Sequence, residues 1–340
     1  MNVRCIAYIP VRLPFPREEI DWLTNGSIRQ LLKLSGVRLN PNRSFPISIT
    51  RASKVELMHL KMHFPKDRFR PFILLRLSGD IPFLEADWKT DSADDSPALY
   101  RNFFDSILSG EFGYLSHQLV LAANIARPGS IHTETGAMFF DGQFDRSIPG
   151  LKSSLELLFS FRSKPVWPRI EMLKLEKVWK WLCESGDFHS GFGSTPLGRA
   201  LAAFSYMFCH DYSRESPLDN LHTIIALEAI YGSNGSQREL VERSRLFLGD
   251  PPQGKALIHD LYKARSALVH GGMNLPFFFG DNDGLPEVEK FREREMEFWD
   301  YSLPLLIATF QRMAKEHLST VEFEVRLRKR KRQPKPSKIT

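Results

Sequence analysis

Leu261-Tyr-Lys-Ala-Arg-Ser-Ala-Leu-Val-His-Gly-Gly272 reads as the closing turns of a helix that stops at a double glycine. Arg265 and His270 stand at its end with four residues between them. That spacing alone carries little, because 28 arginines and 10 histidines supply three such pairs: Arg127/His132, Arg265/His270 and Arg312/His317. Local setting separates them. Arg127-Pro128-Gly129 is a turn, which leaves the histidine beyond it geometrically unfixed. Arg312 and His317 sit beside Lys315 and Glu316 on a polar helix face, the pattern of a solvated surface. Arg265 and His270 instead terminate a helix. Five residues turn through about 500°, so the two side chains diverge by about 140° and cannot share a stripe. Tyr262, Ser266 and His270, one turn apart in succession, share a face.

The negative end of the helix dipole favours an imidazolium at His270, which suits proton transfer near neutrality. Arg265 keeps its charge and is able to clamp a phosphate in bidentate fashion. Two copies of this helix packed across a two-fold axis would surround one cleft with two arginines and two histidines. Such a constellation fits RNA cleavage by attack of the ribose 2′-hydroxyl on its own phosphate. That reaction needs proton transfer and charge stabilisation, so neither a metal nor another cofactor is expected.

Around this stretch, from about residue 151, the chain reads as a succession of helices with legible ends. Arg169 to Cys183 carries an apolar face. Ser194-Thr195-Pro196 opens the next helix with a hydroxyl cap and a proline in the first turn. Ser216-Pro217-Leu-Asp219 opens another by the same device. Ser236-Gln-Arg-Glu239 is a capping box, and that helix ends at Gly249 before Pro251 and Pro252. A last helical stretch runs from about Pro286 to His317, with a kink expected at Pro304. Short connections imply antiparallel neighbours, so residues 151–321 are expected to form an all-α bundle.

Residues 1–150 read as an α+β domain. Val3 to Ile9 and Phe72 to Leu77 look like strands, and Ile28 to Leu34 like a short helix. Residues 87–97 form an acidic polar loop. Ala98 to Ile125 has helical spacing, with interruptions expected at Gly110 and Gly113. Met138-Phe-Phe140 and Gln143-Phe144, joined by Asp141-Gly142, predict a hairpin.

Composition bounds the partners. No apolar run is long enough to span a membrane. The N-terminus is too short and polar a run for a secretory signal. Cys5, Cys183 and Cys209 lie far apart, which argues against a disulfide framework and suits a cytoplasmic location. The net charge of +6 is unevenly placed. Residues 1–89 hold 15 Lys/Arg against 8 Asp/Glu, and residues 322–340 hold 8 against 2; residues 151–321, at 20 against 22, are near neutral. The tail, with Arg328, Lys329, Arg330, Lys331 and Arg332, reads as a disordered basic segment able to hold a phosphate backbone. Lys54, Lys61, Lys66, Arg68 and Arg70, with Phe64 and Phe69, form a basic–aromatic patch, for which a solvated face is the simpler reading. His59 and His63 lack the glutamate and third ligand of a zinc helix. Gly191-Phe-Gly193-Ser-Thr-Pro-Leu-Gly198 has no preceding strand and no Lys-Ser/Thr, so it reads as a loop into a capped helix rather than a phosphate loop.

Glu228 sits within Ile224-Ile-Ala-Leu-Glu-Ala-Ile-Tyr231, an almost wholly apolar helical run. A carboxylate buried there needs a partner, and Arg243, Arg245 and Arg265 are the candidates. A structural ion pair that locks helix packing is the expected role.

Three strings then stand in order: Ala226-Leu-Glu-Ala-Ile-Tyr-Gly232, Glu242-Arg-Ser-Arg-Leu-Phe-Leu-Gly249, and Leu261-Tyr-x-x-Arg265-Ser-x-x-Val-His270-Gly. Together they resemble the HEPN superfamily, and most closely its ApeA-like branch from bacterial abortive-infection systems, over residues 195–320. The resemblance implies a HEPN-type helical bundle, homodimerisation, and a metal-independent endoribonuclease acting as a toxin in anti-phage defence. It further implies that Arg265 and His270 are the catalytic pair, with Ser266 beside the arginine where many active members have Asn, Asp or His. Glu228, Tyr262 and Arg243 would support the site. Residues 1–150 would be a regulatory or recognition domain, sensing a phage-derived trigger or regulatory partner, binding RNA or covering the active site. Two other readings are a non-catalytic HEPN sensor or dimerisation module, and a nucleic-acid-binding protein working through the tail and residues 51–70.

Overall fold

The computed structural model describes residues 2–12, 26–34, 47–53, 55–56, 72–82, 97–133, 135–148, 150–151, 167–185, 187–208, 217–232, 236–251, 256–276 and 285–323. The His59/His63 pair, the basic–aromatic patch between Lys54 and Arg70, residues 87–96 of the acidic loop and the Arg328–Arg332 run lie outside the described residues. The chain is mixed α+β: an antiparallel sheet followed by a helical C-terminal region.

Strands β1 (Asn2–Arg12), β2 (Ile47–Arg51) and β3 (Phe72–Pro82) join β5 (Gly136–Phe140) and β6 (Gln143–Ile148) in the order β2-β3-β1-β5-β6, and the two-residue β4 (His132–Thr133) also pairs with β1. β1 is central because it alternates. Cys5, Ala7, Ile9 and Val11 are all buried on one face, as a period of two dictates. On the other face the Tyr8 hydroxyl donates to Glu56 Oε1 at 2.7 Å, and burial together with that carboxylate pushes the phenol up to about 12. β5 and β6 form the expected hairpin, with Asp141 and Gly142 at φ of 46° and 84°, as a two-residue turn of this hand requires.

Residues 26–33 form a first helix, α1. The second, α2 (Pro97–Ala126), runs unbroken through Gly110 and Gly113, so the expected interruption is absent. Two internal glycines cost about 1 kcal/mol each. That is outweighed by burial of Phe112, Leu115, Leu119, Ala122 and Ala126 along one stripe.

Among the described residues seven further helices follow: α3 (Leu175–Glu184), α4 (Asp187–Ser190), α5 (Pro196–Tyr206), α6 (Pro217–Tyr231), α7 (Gln237–Leu248), α8 (Ala256–Val269) and α9 (Pro286–Glu316). The helix expected from Arg169 begins only at Leu175. Its upstream backbone makes its bonds across the fold instead. The Glu171 N–H donates to Gln311 Oε1 at 2.8 Å, the Glu171 carbonyl accepts from Gln311 Nε2 at 2.8 Å, and the Leu173 N–H donates to Ala126 O at 2.9 Å. Gln311 Nε2 also donates to Ile125 O at 2.9 Å, so one buried amide clasps the end of α2, the 169–174 strap and α9.

Residues 301–311 of α9 are buried without a break, the signature of a helix enclosed on all sides. Pro304 lies inside that stretch. A single apolar core runs from Cys5 in β1 through α2 and α3 to Ala314 in α9. The contacts fix helix directions. Asn220 Nδ2 donates to Glu295 Oε2 at 2.9 Å, and Tyr231 and Thr309 hydroxyls meet at 2.8 Å, so α6 and α9 run the same way. Among the described residues no helix is long and apolar enough to cross a membrane.

Glu295 is 3 % exposed, and burial raises its carboxyl pKa against the opposing Asn220 hydrogen bond and Arg294 charge. A raised folded-state pKa contributes stability below the unfolded value, and that stability is lost as pH climbs through the folded one. Glu295→Gln keeps an acceptor for Asn220 and removes the buried charge. It is expected to raise Tm by about 2 °C at pH 7.5, on the order of 1 kcal/mol, and to leave Tm unchanged near pH 4, as followed by circular dichroism.

Candidate functional site

The site is the end of α8 and the part of α6 that faces it. α8 stops as its sequence requires. His270 is the C-cap, Gly271 takes φ 70°, the Gly272 N–H donates to Ala267 O at 2.7 Å, and the Gly271 N–H donates to Leu268 O at 3.3 Å. This is the Schellman arrangement, in which a left-handed residue closes the helix, and a glycine takes that conformation without strain. The His270 N–H still donates to Ser266 O at 3.0 Å, so the histidine is held at the helix end by its backbone while its side chain is exposed.

Of the three arginine candidates, Arg265 is the one beside Glu228, with Nη2 at 3.4 Å from Oε2. Arg243 is used elsewhere. It donates to Tyr231 O at 2.6 Å and Gly232 O at 2.5 Å, closing the C-terminus of α6, pairs with Glu239 at 3.1 Å, and lies 5.5 Å over the Phe323 ring. Arg245 bonds Asp250. Burial raises the Glu228 carboxyl pKa, and the Arg265 charge works in the opposite direction. The Arg265 guanidinium also stands 5.8 Å from the centre of the half-buried Tyr262 ring.

α6 meets α8 at the Glu228–Arg265 pair, and Gln237, the first residue of α7, donates to His259 O near the start of α8 at 2.7 Å. Ile225 lies one turn before Glu228 on α6, and Val269 one turn beyond Arg265 on α8. Ile225 is 38 % exposed and Val269 50 %. Ser266 is half-buried and one turn from His270. Arg265 and His270 diverge by about 140° around α8.

Between the other side of α8 and the N-terminal half of α9 lies a cleft of about 550 Å³. It mixes Lys263, Lys290 and Arg294 with Asp260 and Glu287, and Arg294 stands 5.7 Å over the Phe291 ring. Among the described residues no group of three or more His, Cys, Asp or Glu side chains is placed to hold a metal ion.

The other two Arg/His pairs have structural uses. His132 is fixed, contrary to the reading of a loose turn: it is buried in β4 and pairs with Arg12 of β1, because the Arg127 turn folds the chain straight back onto the sheet. Arg312 donates to Glu316 at 2.9 Å and covers the Phe247 ring at 4.7 Å, while His317 is the left-handed C-cap of α9, 3.6 Å from Glu184.

The glycine-rich loop is explained by Asp187, a residue the sequence reading passed over. Its carboxylate accepts from the Ser194 N–H at 3.0 Å, Ser194 Oγ at 2.8 Å, the Thr195 N–H at 2.6 Å and Thr195 Oγ1 at 2.5 Å. Thr195 Oγ1 in turn accepts from the Gly198 N–H at 3.0 Å and caps α5. The seat that a phosphate would take at this helix N-terminus is filled by the chain's own carboxylate. Those bonds, led by the one from Thr195 Oγ1, lower the Asp187 pKa. Asp187→Ala is expected to cost about 1–2 kcal/mol at pH 7. A lowered pKa gives stability above the unfolded value and loses it as pH falls, so the Tm gap to the native chain should close on acidification below about pH 4.

No family model, curated protein or solved structure matches the chain.

Proposed function

We propose that this chain is a metal-independent endoribonuclease of the HEPN type, a cytoplasmic effector of bacterial anti-phage defence whose active site is completed by a second copy. The observation that carries the reading is the end of α8. An exposed His270 stands on a Schellman-closed terminus, Arg265, paired with Glu228, lies about 140° away around the helix, and Ile225 and Val269, one turn along from the pair on α6 and α8, are exposed. One chain thus offers half of a site. Exposed apolar side chains of this kind favour burial against another copy. A two-fold pairing through the α6/α8 face would set two arginines and two histidines about one RNA strand.

In that site the 2′-oxygen forms a bond to phosphorus and the bond to the 5′-oxygen breaks. One imidazole takes the 2′-hydroxyl proton, and the imidazolium of the other copy returns a proton to the 5′-oxygen. Arg265 neutralises the charge that builds on the phosphoryl oxygens. Ser266, one turn before His270, orients the histidine or the substrate. Tyr262 supports the arginine, and Arg243 supports the end of α6. The basic run Arg328–Arg332 adds sequence-independent attraction to RNA. Residues 1–150 are the proposed seat of a phage-derived trigger or other regulatory partner.

The test is purified protein incubated with total RNA in EDTA, with native mass measured alongside. Native chain that cleaves, and Arg265→Ala that does not, supports the reading. A dimer that loses stability on Arg265→Ala or His270→Ala without RNA cleavage ever being seen would make the chain a non-catalytic interaction module instead.

A further inference from the structure

Glu228 and Arg265 touch at one point only. Nη2 reaches Oε2 at 3.4 Å, whereas Glu228 Oε1 and Arg265 Nε are both buried without a hydrogen-bond partner among the described residues. An arginine fork and a carboxylate ordinarily close such a gap with two parallel bonds. An orphaned buried group keeps its desolvation cost unrepaid, so a pair kept only to lock α6 against α8 gains by closing it. The side chains are 15 % and 23 % exposed, at the edge of the fold rather than sealed within it. Tyr262 adds a second constraint, its ring centre 5.8 Å from the guanidinium carbon. The guanidinium is thus tethered through Nη2, attended by an aromatic ring, and left with Nε unbonded.

We infer that Glu228 is a positioning residue: it tethers Arg265 through Nη2 so that the rest of the guanidinium is free to turn and meet the scissile phosphate of the RNA. This rests on the ribonuclease reading. It changes the role of the half-buried glutamate from a lock between helices to a pivot for the arginine. Without the carboxylate, Arg265 remains cationic and able to attract RNA, but its fork is no longer aimed, and the loss falls on the chemical step rather than on binding.

Steady-state cleavage of a short single-stranded RNA by the full chain, with Tm recorded for each variant, decides it. Glu228→Gln keeps shape and an acceptor oxygen but loses charge. It is expected to lower kcat by about 10–100-fold with KM within about threefold, the scale of a small misplacement of a reacting group. Glu228→Asp, with the charge kept and the reach shortened, should fall between Glu228→Gln and the native chain in kcat. Unchanged kcat in Glu228→Gln overturns the inference, as does a rise in KM alone. Losses of kcat that merely track losses of Tm in both variants return Glu228 to a packing role. If the native chain cleaves no better than His270→Ala, the ribonuclease reading itself fails and this role falls with it; if His270→Ala is inactive while Glu228→Gln is normal, only the positioning role fails.

Discussion

Replacing His270 with alanine is expected to lower RNA cleavage by about 10²–10⁴-fold, the range over which a positioned general acid or base contributes. Tm should stay within about 1 °C, because the side chain is exposed and the helix end is closed by backbone bonds from Gly271 and Gly272. Separation of activity from stability is the diagnostic. Arg265→Ala should abolish cleavage to a similar extent but also lower Tm, since it leaves the Glu228 carboxylate half-buried without its counter-charge. Cleavage is read on a defined single-stranded RNA in EDTA, and Tm by circular dichroism. Native cleavage in both variants would sink the assignment of this pair. A His270→Ala variant that loses Tm in step with activity would show that the histidine supports the fold.

The largest effect on stability is expected at Gln311. Its amide makes three bonds, accepting from the Glu171 N–H and donating to the carbonyls of Glu171 and Ile125, while being only 3 % exposed. Gln311→Ala strands those backbone groups at about 1–3 kcal/mol each and opens a small cavity besides. A total of at least about 3 kcal/mol and a fall in Tm of about 5 °C or more should follow. Gln311→Met separates the two causes, because it restores volume without the bonds. If Gln311→Met melts like the native chain, packing rather than hydrogen bonding accounts for the clasp. Because Gln311 joins α2 to α9, the loss should be seen by probes of the sheet and of the helices alike.

Much of the local structure was legible because it is local. Thr195 before Pro196, Ser236 before Glu239, Gly249 and Gly271 each act within one helical turn, and a cap needs no distant residue to be recognised. Asp141-Gly142 fixed the hairpin for the same reason. The misjudged segments were those whose backbone answers to distant groups. Residues 169–174 have helical composition but are held extended by Gln311 and Ala126, more than 40 residues away in either direction. Gly110 and Gly113 looked like breaks because propensity is a per-residue cost, whereas the burial that outweighs it belongs to the whole stripe of α2. Asp187 gave no signal, because an aspartate in a short polar string looks like any loop residue until the glycine-rich loop folds over it.

By itself the sequence determined where the capped helices start and stop, that Arg265 and His270 diverge around one of them, and that Glu228 would need a cation. Those follow from the helical period and from the cost of burying a charge, which hold in any fold. Only the tertiary structure decided which arginine Glu228 receives, since Arg243, Arg245 and Arg265 are equivalent in composition and differ only in what α6, α7 and α8 bring near them. It also decided that the contact is a single point with an orphaned atom on either side, a matter of ångströms set by how α6 and α8 pack.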